Sequence, residues 1–458
     1  MYIEQIYTDC LAEASYYIES DGEVAIIDPM REAEPYIRIA ERRNAKILYV
    51  FETHFHADFI SGHLDIARQT GAKIVYGPGA KADYDIIVSK DLQEFKLGRA
   101  KIKVLHTPGH TLESCCYLLN DERNITHSVF TGDTLFVGEV GRPDLAVSGQ
   151  NTKESLAGML YDSINKKLKT LPDYVIVYPA HGAGSACGKN ISKELYSTIG
   201  YQKQFNYALK PMSKEEFVKV VTEGLTEPPK YFFKDAVINK KGYEPLDKVI
   251  DKNLNPLSLV DFEKEIKHGA VILDARKPDD FEKGYISGAI NIGLDGQYAI
   301  WAGSLIDITT PLILVTDSGR EKEAILRLAR VGFENVKGYL AGGIETWAKR
   351  NTFDKIESIE PLDYIKIKQN HHMTIDVRNA DECITGILPG AKVIPLNSLE
   401  KEMTKLDKHE KIYIYCAGGY RSMMASSLMK NHGFDNIVNI RGGINKIRSA
   451  HIKLVNFN

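Results

Sequence analysis

The chain has 458 residues, which is too long for a single ordinary core and predicts about three domains. Hydrophobic residues make up 43% and charged residues 26%, as in globular proteins, and the net charge of −3 argues against a nucleic-acid partner. No run predicts a membrane span, and the first residues, MYIEQIYTDC, lack the pattern of a signal peptide, so we expect a cytoplasmic protein without a membrane partner. The six cysteines are then expected to be thiols.

Residues 1–245 alternate short apolar runs with helical patterns, which predicts an α/β domain. The runs are EVAIID, KILYVFE, KIKVLH, SVFTGD and YVIVYPA, and HLDIARQTGA is a helical stretch. Four residues with metal-binding side chains stand at or just after the ends of these runs: His54, His110, Asp133 and His181. A lone histidine is usually structural, but strand ends can gather on one edge of packed sheets. The ordered set therefore predicts a metal site.

The motifs THFHADF, TPGHT, TGDT and PAHG resemble those of the metallo-β-lactamase superfamily. The resemblance covers residues 1–245 and implies an αββα sandwich of two sheets. Hydrolases of that superfamily commonly hold two zinc ions bridged by the aspartate that matches Asp133. The second ion would need Asp58, a histidine at position 59, and His181. Phe59 has no lone pair, which favours a single metal.

Among one-metal members, the persulfide dioxygenase branch matches best. The resemblance implies that His54, His110 and Asp133 hold the ion. Two imidazoles and one carboxylate suit non-haem Fe(II), and we expect one Fe(II) per chain, with zinc as the alternative. Other polar residues of the motifs become candidates for orienting ligands or water, and His56 stays open as a metal ligand. These candidates are His56, Asp58 and His181.

Two nearby features have alternative interpretations. Arg142, in GEVGRPDL, either binds a carboxylate or phosphate of a thiol carrier or forms a structural ion pair with Asp144. Cys187 lies in HGAGSACG, a glycine-rich loop able to reach the pocket, but we favour a buried inert thiol. Core packing is favoured for the remaining cysteines of this region. They are Cys10, Cys115 and Cys116.

Residues 246–352 and 353–458 are predicted to be two copies of one α/β domain. ILDARKPDDFEKGYISGAINI is repeated as TIDVRNADECITGILPGAKVI, and GFENVKGYLAGGI as GFDNIVNIRGGI. The period of about 100 residues indicates a duplicated domain rather than a solenoid.

In the last copy, the run KIYIY ends in Cys416, followed by AGGYRS and a helical stretch. The spacing C-x-x-G-x-R allows backbone N–H groups, Arg421 and a helix amino terminus to surround the sulfur, which favours a thiolate or persulfide anion. The loop resembles that of the rhodanese sulfurtransferases, whose cysteine carries a sulfane sulfur. We predict catalytic roles for Cys416 and Arg421.

The middle copy shares this rhodanese-like outline without the cysteine. We place Asp317 near the cysteine position and expect its loop to be about two residues shorter. A carboxylate cannot carry a persulfide, so we predict an inactive domain with a structural role. A binding role for Asp317 and Arg320 stays open.

The architecture as a whole resembles fused bacterial persulfide dioxygenase and sulfurtransferase proteins. The resemblance implies oxidation of a low-molecular-weight thiol persulfide by dioxygen, giving thiol and sulfite, and formation of thiosulfate through Cys416. The small-molecule partners would be persulfide, dioxygen and sulfite, the role sulfide detoxification, and we expect a homo-oligomer. One rival is a zinc thioester hydrolase of the hydroxyacylglutathione type. Another is a sulfur carrier or scaffold with a vestigial metal site.

Overall fold

The computed structural model describes residues 1–147, 149, 151–367 and 372–457. Two compact units make up the chain. The first comprises Met1–Val249 with Ala329–Gly332, and the second comprises Ile250–Leu328 with Phe333–Asn458. Within the described ranges, no helix has the length and apolar character needed to cross a bilayer.

Two six-stranded sheets form the centre of the first unit, with strand orders β1-β2-β3-β4-β5-β6 and β12-β11-β10-β9-β8-β7. The strands of the first sheet are β1 (Tyr2–Thr8), β2 (Glu13–Ser20), β3 (Glu23–Ile27), β4 (Lys46–Phe51), β5 (Lys73–Tyr76) and β6 (Ile87–Val88). Those of the second are β7 (Glu94–Leu97), β8 (Ala100–His106), β9 (Cys115–Asn120), β10 (Thr126–Gly132), β11 (Ile176–Pro179) and β12 (Ser197–Thr198).

Helices flank these sheets. They are α1 (Glu34–Arg43), α2 (His63–Thr70), α3 (Lys153–Ser163), α4 (Ile199–Phe205), α5 (Lys214–Thr222) and α6 (Phe232–Lys241). A short π-helical turn, Ile164–Leu168, extends α3, and Tyr207–Leu209 forms a 3₁₀ turn. Helix α7 (Leu246–Asn253) occupies the connection that follows.

The apolar core of the first unit lies between the two sheets. Alternate residues of β2 face opposite sides, as the period of a strand requires. Tyr16 and Ile18 pack towards Phe130 of the second sheet, whereas Tyr17 packs towards Tyr36 of α1. On the far side, residues of α3 and α5 cover the second sheet. The αββα sandwich expected from the sequence is confirmed.

The second unit contains two five-stranded parallel sheets with the same topology, β13-β17-β16-β14-β15 and β18-β22-β21-β19-β20. The first has β13 (Pro256–Leu257), β14 (Val271–Asp274), β15 (Ile290–Asn291), β16 (Leu312–Val315) and β17 (Val336–Leu340). The second has β18 (Glu357–Ile359), β19 (Met373–Asp376), β20 (Lys392–Val393), β21 (Ile412–Tyr415) and β22 (Ile437–Ile440). The identical strand order agrees with a duplicated domain.

Helices of the two copies also correspond. Those of the middle copy are α8 (Leu259–Lys267), α9 (Pro278–Phe281), α10 (Tyr298–Leu305), α11 (Glu321–Ala329) and α12 (Gly343–Ala348). Those of the last copy are α13 (Pro361–Tyr364), α14 (Ala380–Cys383), α15 (Leu396–Glu402), α16 (Tyr420–Asn431) and α17 (Gly443–Ser449), with a 3₁₀ turn at Met403–Lys405.

The repeated D-x-R motif is a buried ion pair in both copies. Asp274 Oδ2 lies 2.6 Å from Arg276 Nη2, and Asp376 Oδ2 lies 2.6 Å from Arg378 Nη2. Arg276 also donates to the carbonyl of Gly284, and Arg378 to that of the matching Gly386. In each copy, this arginine therefore links the strand that ends in the aspartate, β14 or β19, to the G-x-x-x-G-A turn.

Candidate metal centre and sulfur-transfer loop

Three residues meet just beyond the ends of β4, β8 and β10. The ligand atoms of His54, His110 and Asp133 all lie within 4.8 Å of one another and are buried. Asp133 Oδ2 is 3.3 Å from His110 Nε2 and 4.0 Å from His54 Nε2. The structure thus brings together the three side chains that the sequence predicts as metal ligands.

Hydrogen bonds orient both imidazoles for ligation. His54 Nδ1 lies 3.0 Å from Thr53 Oγ1, and His110 Nδ1 lies 2.8 Å from the Arg142 carbonyl. Such contacts on the far nitrogen turn Nε2 towards a metal. Neither carboxylate oxygen of Asp133 has a hydrogen-bond partner among the described residues. A buried unpartnered carboxylate is costly, so these residues fit a bound cation.

Burial lowers the pKa of His54 well below its usual value, and the neighbouring His56, His110 and His181 add to this effect. The lowered pKa keeps His54 neutral. A neutral imidazole is the form that binds a metal.

Two glycines allow the close approach of these loops. Gly132, just before Asp133, has a φ of +51°, and a Cβ there would lie 2.5 Å from Thr53 Oγ1. Gly109 has a φ of +148°, and a Cβ there would lie 2.4 Å from Leu160 Cβ. Only glycine fits both positions without strain.

His56 points away from the three ligands. Its Nε2 lies 3.0 Å from Asp28 Oδ1 and 3.4 Å from Glu52 Oε2. Burial opposes the charged form, but the two carboxylates outweigh it and raise the pKa of His56 well above its usual value. The structure therefore supports an orienting role for His56 at the first cluster, and His56, Asp28 and Glu52 form a separate buried group whose ligand atoms lie within 4.8 Å of one another.

Asp28 and Glu52 were not predicted from the sequence as part of the site. Asp28 accepts from the backbone N–H and the hydroxyl of Thr53, at 2.7 and 2.8 Å, and so holds the residue next to His54. Asp28 follows the end of β3 in EVAIID, and Glu52 follows β4, so their positions at strand ends were a usable signal. Asn239 of α6 was also missed. It donates to the carbonyls of His56 and Phe59.

Asp58 and His181 meet Cys187 in a second buried cluster. Their ligand atoms lie within 4.8 Å of one another. His181 Nε2 is 3.3 Å from Asp58 Oδ2 and 3.4 Å from Asp133 Oδ1, and its Nδ1 is 3.1 Å from the Ala12 carbonyl. Burial, with the carboxylates of Asp58 and Asp133, raises the pKa of the Cys187 thiol well above its usual value.

Phe59 is completely buried, with its ring centroid 4.4 Å from that of His56. The Phe59 ring packs against the His56 imidazole, whose Nε2 lies beside Asp28 and Glu52. Cys115 and Cys116 are buried in the sheets, as expected, whereas Cys10 is only partly buried.

Arg142 is held inside the protein by ion pairing and backbone carbonyls. Its Nε and Nη2 donate to the two carboxylate oxygens of Asp144, at 2.6 and 2.8 Å. Nη1 donates to the Ala186 carbonyl and Nη2 also to that of Thr226. All three guanidinium nitrogens are used, so this geometry supports the structural alternative over substrate binding.

Cys416 stands between β21 and α16, where the sequence predicts the reactive loop. The N–H of Gly419 points at its Sγ over 3.1 Å, and Gly419 has a φ of +105°. The Ser422 hydroxyl lies 3.6 Å from the same sulfur. The thiol donates to that hydroxyl oxygen, so the groups that favour an anion at this sulfur are the Gly419 N–H and the amino terminus of α16.

Arg421 forms a paired contact with Glu382, in which Nη1 and Nη2 each donate to one carboxylate oxygen over 2.6 Å. Burial works against the charged guanidinium, but Glu382 raises the pKa of Arg421. Glu382, which follows the D-x-R motif, was not predicted from the sequence. The catalytic role of Arg421 stays a prediction.

The middle copy differs from the sequence-based alignment. Val315 pairs with Asp274 as Tyr415 pairs with Asp376, so Thr316, not Asp317, occupies the position of Cys416. Residues 316–320 separate β16 from α11, whereas residues 416–419 separate β21 from α16. The expected shortening of the middle loop is therefore wrong. The two copies differ in the turn that precedes the arginine. Arg421 comes five residues after Cys416, whereas Arg320 comes four residues after Thr316.

The Arg320 guanidinium also forms ion pairs with acidic residues. Its Nη1 donates to Asp295 over 2.7 Å, and its Nε and Nη2 donate to Glu323 over 2.9 Å. Asp317 is exposed.

Together, the fold and the clustered side chains define an αββα domain with residue groups able to hold a metal, followed by a duplicated α/β domain whose last copy carries Cys416 between a strand and a helix. Residues 8–181 match the family described as the Metallo-beta-lactamase superfamily, and residues 258–350 and 362–450 match the Rhodanese-like domain.

Curated relatives of two kinds are similar to the first unit. A probable hydroxyacylglutathione hydrolase, glo2, of Schizosaccharomyces pombe is 34% identical to this chain. The match covers 38% of this chain and 64% of that protein's length. The mitochondrial persulfide dioxygenase ETHE1 of Homo sapiens is 32% identical over 43% of this chain and 71% of its own length. A solved structure described as a metallo-beta-lactamase from Staphylococcus aureus is 30% identical, with a TM-score of 0.66, and the match covers 74% of this chain and 98% of that one. The chain belongs to the metallo-β-lactamase superfamily and carries rhodanese-like domains after its metallo-β-lactamase domain.

Proposed function

We propose that the chain oxidises a low-molecular-weight thiol persulfide with dioxygen and converts the product to thiosulfate. The first reaction is RSSH + O₂ + H₂O → RSH + SO₃²⁻ + 2H⁺. The observation that carries the proposal is the convergence of His54, His110 and Asp133 in a chain that also carries Cys416 in an anion-stabilising loop. Both halves of such a chain would handle sulfane sulfur.

In this proposal, the first cluster holds one Fe(II). The ion would supply the redox chemistry through which dioxygen reacts with the persulfide sulfur. The protein's part is to keep His54 neutral by burial, to aim both imidazoles by their Nδ1 contacts, and to place the Asp133 carboxylate beside them. His54, His110 and Asp133 would hold the ion, and with only three protein ligands it would stay accessible to small reactants.

In the second reaction, the Cys416 thiolate attacks the outer sulfur of the persulfide and releases the thiolate RS⁻, which takes up a proton to give RSH. A new S–S bond forms on Cys416. Sulfite then attacks that outer sulfur, which breaks the bond, gives S₂O₃²⁻ and regenerates the thiolate. The Gly419 N–H and the amino terminus of α16 stabilise the sulfur anion at both stages.

A zinc thioester hydrolase is the second candidate function. The hydroxyacylglutathione hydrolase relative is about as similar to the first unit as the persulfide dioxygenase relative is, at 34% against 32% identity. The proposed preference for dioxygenase chemistry depends on Phe59 and on the rhodanese-like domains.

The test uses the full chain, stripped of metal and loaded without oxygen with either Fe(II) or Zn(II). Oxygen uptake, sulfite and thiosulfate are then measured with the persulfides of glutathione, coenzyme A and cysteine, and hydrolysis with a hydroxyacylglutathione thioester. We expect uptake only with Fe(II), with one O₂ consumed for each sulfite formed, and therefore one O₂ for every two persulfides when the sulfite is converted to thiosulfate. Thioester hydrolysis by the Zn(II) form, with no uptake by the Fe(II) form, would establish the hydrolase instead.

A further inference from the structure

A chain of hydrogen bonds connects a carboxylate of the middle copy to the sulfur of Cys416. Glu282 directly follows α9 and is buried, and its Oε2 accepts from the hydroxyl of Ser358 on β18. Ser358 accepts over 3.4 Å from Nδ2 of Asn439, its partner in register on β22. Asn439 Oδ1 accepts over 2.7 Å from the Ser422 hydroxyl, which lies 3.6 Å from Cys416 Sγ. Within the second unit, hydrogen bonds therefore run from the middle copy to the reactive sulfur.

The Glu282 carboxylate fixes the direction of every bond in this chain. Its Oε1 accepts from Nε and Nη2 of Arg441, over 3.1 and 2.8 Å, and a carboxylate paired in this way can only accept hydrogen bonds. The proton of Ser358 therefore points at Glu282, and the Ser358 oxygen receives the NH₂ group of Asn439. The oxygen of that amide then faces Ser422 and takes the proton of its hydroxyl.

At the sulfur, Ser422 consequently presents a lone pair rather than a proton. A hydroxyl has a single proton, and that of Ser422 is committed to Asn439. The Cys416 thiol can donate to this oxygen, whereas a thiolate would face its lone pair and be disfavoured. The Gly419 N–H acts in the opposite direction, because it donates to Sγ over 3.1 Å and favours the thiolate.

We propose that Glu282 is a positioning residue through which the middle copy holds the resting Cys416 as a protonated thiol. The proposal rests on the sulfur-transfer role of Cys416 in the proposed function, and adds the group that controls the proton of that thiol. A thiol is less readily oxidised than a thiolate, which is an advantage in a chain that uses dioxygen. The copy without a nucleophile thereby acts on the nucleophile of its neighbour.

Three ion pairs lie on or beside the elements that pack around the Cys416 loop, and Glu282 belongs to none of them. They are Arg421 with Glu382, Asp376 with Arg378, and Lys446 with Glu360. A substitution at Glu282 therefore reaches the sulfur by two routes, which are the loss of one negative charge and a change in the direction of the hydrogen bonds. The experiment has to separate these two routes.

Glu282→Gln should reverse the chain. The charged Arg441 guanidinium keeps the amide oxygen of the new side chain, so the amide NH₂ group faces Ser358. Ser358 then donates to Asn439, whose amide turns over and donates to Ser422. The Ser422 proton becomes available to the sulfur, and a hydrogen bond to a sulfur anion is stronger than one to a neutral carbonyl. The thiolate is stabilised in this variant.

Alkylation of Cys416 by iodoacetamide in the full-length chain, followed by mass spectrometry of its peptide, measures the thiolate. We expect Glu282→Gln to be alkylated about tenfold faster than the wild type at neutral pH, with its rate profile displaced to lower pH. Glu360→Gln is the matched control, because Glu360 lies 3.7 Å from Arg441 and is outside the chain, and its rate should equal that of the wild type. An unchanged or slower rate in Glu282→Gln overturns the proposal.

A second background separates the hydrogen bonds from the loss of a charge. In Ser422→Ala no hydroxyl contacts the sulfur, so the addition of Glu282→Gln should leave the alkylation rate unchanged. Ser358→Ala interrupts the chain further from Cys416 and should suppress the effect in the same way, which keeps the test valid if Ser422→Ala unfolds. An acceleration that persists in these backgrounds assigns the effect to charge and overturns the proposal. Alkylation needs no persulfide, so this outcome is distinct from a failure of the wild type to form thiosulfate.

Discussion

The hydroxyl of Tyr420 donates a hydrogen bond to the carbonyl of Gly293 over 2.6 Å. Tyr420 is the first residue of α16, directly after the Cys416 loop of the last copy, and Gly293 belongs to the middle copy. A Cβ at Gly296 would lie 2.5 Å from Cζ of the same tyrosine ring. The middle copy therefore packs against Tyr420, next to the Cys416 loop. This contact agrees with the structural role that was predicted for the middle copy from its missing cysteine.

Gly296→Ala should disturb the packing of the middle copy against Tyr420. Because the added methyl group overlaps the Tyr420 ring, we expect a loss of about 1–3 kcal/mol in stability and slower sulfur transfer by Cys416. Tyr420→Phe, which removes only the hydrogen bond, should cost about 1 kcal/mol. Denaturant unfolding and thiosulfate formation measure both effects.

The matched control for Tyr420→Phe is Tyr298→Phe. The Tyr298 hydroxyl is buried in the middle copy and has no hydrogen-bond partner in the described part of the chain. Its removal should leave stability and transfer unchanged. Equal effects of the two substitutions would show that the bond to Gly293 does not support the loop.

Replacing a ligand of the first cluster should abolish iron binding. His54→Ala, His110→Ala and Asp133→Ala each remove one of three protein ligands, so bound iron and oxygen uptake should be lost. His181→Ala should retain iron, since that residue faces the second cluster. His106→Ala, on β8 outside both clusters, is the control. Iron loss in His181→Ala equal to that in the other three would make His181 a ligand of the first ion.

Cys416→Ser should separate the two reactions. A hydroxyl is protonated at neutral pH and cannot carry sulfane sulfur, so thiosulfate formation should stop. Oxygen uptake with persulfide should continue, with sulfite as the product. The control is Cys383→Ser, a buried cysteine of the same copy. Unchanged thiosulfate from Cys416→Ser would remove this cysteine from the mechanism.

Thr316→Cys tests whether the middle copy lacks only its nucleophile. Thr316 follows β16 as Cys416 follows β21, so it is the position to substitute in the Cys416→Ser background. We expect no recovery of thiosulfate, because Arg320 is tied to Asp295 and Glu323 and comes one residue earlier in its loop. Recovery would show that a thiol is all this copy needs.

The ion pair between Glu382 and Arg421 predicts a pH dependence. Burial opposes the Glu382 carboxylate, but Arg421 outweighs it and holds the pKa of Glu382 below its usual 4.5. The unfolded chain then binds more protons than the folded one at acid pH, so stability rises with pH there. The pair's contribution, about 1 kcal/mol, should be complete above pH 4.5 and lost as the pH falls through the lower folded-state value.

Glu382→Gln should lack this contribution at neutral pH and equal the wild type at low pH. Denaturant unfolding at a series of pH values gives the difference between the two proteins. Asp381→Asn, an exposed neighbour, is the control. A difference that stays constant with pH would mean that Arg421 does not stabilise the folded carboxylate.

Most of the architecture followed from the sequence because it rests on patterns within single elements. Apolar runs predicted the strands, and polar residues just after four of them predicted His54, His110, Asp133 and His181 as a group. The duplication was visible because D-x-R and G-x-x-x-G-A recur about 100 residues apart in the chain. In both copies the arginine of D-x-R pairs with the aspartate and donates to the first glycine of G-x-x-x-G-A. The reactive loop was predicted because strand, cysteine, glycine and helix follow one another directly.

Only the tertiary structure decided which side chains from separate loops meet. His56 has a ligand's spacing, but packing turns it towards Asp28 and Glu52, residues that no motif joined to it. For Cys187 the sequence left two alternatives, a buried inert thiol or a residue that reaches the pocket, and the loop after β11 places it beside Asp58 and His181. Such contacts depend on how loops close over the sheet edge, because the free energy of burying a charged or polar group is set by its neighbours in space and not by those in sequence.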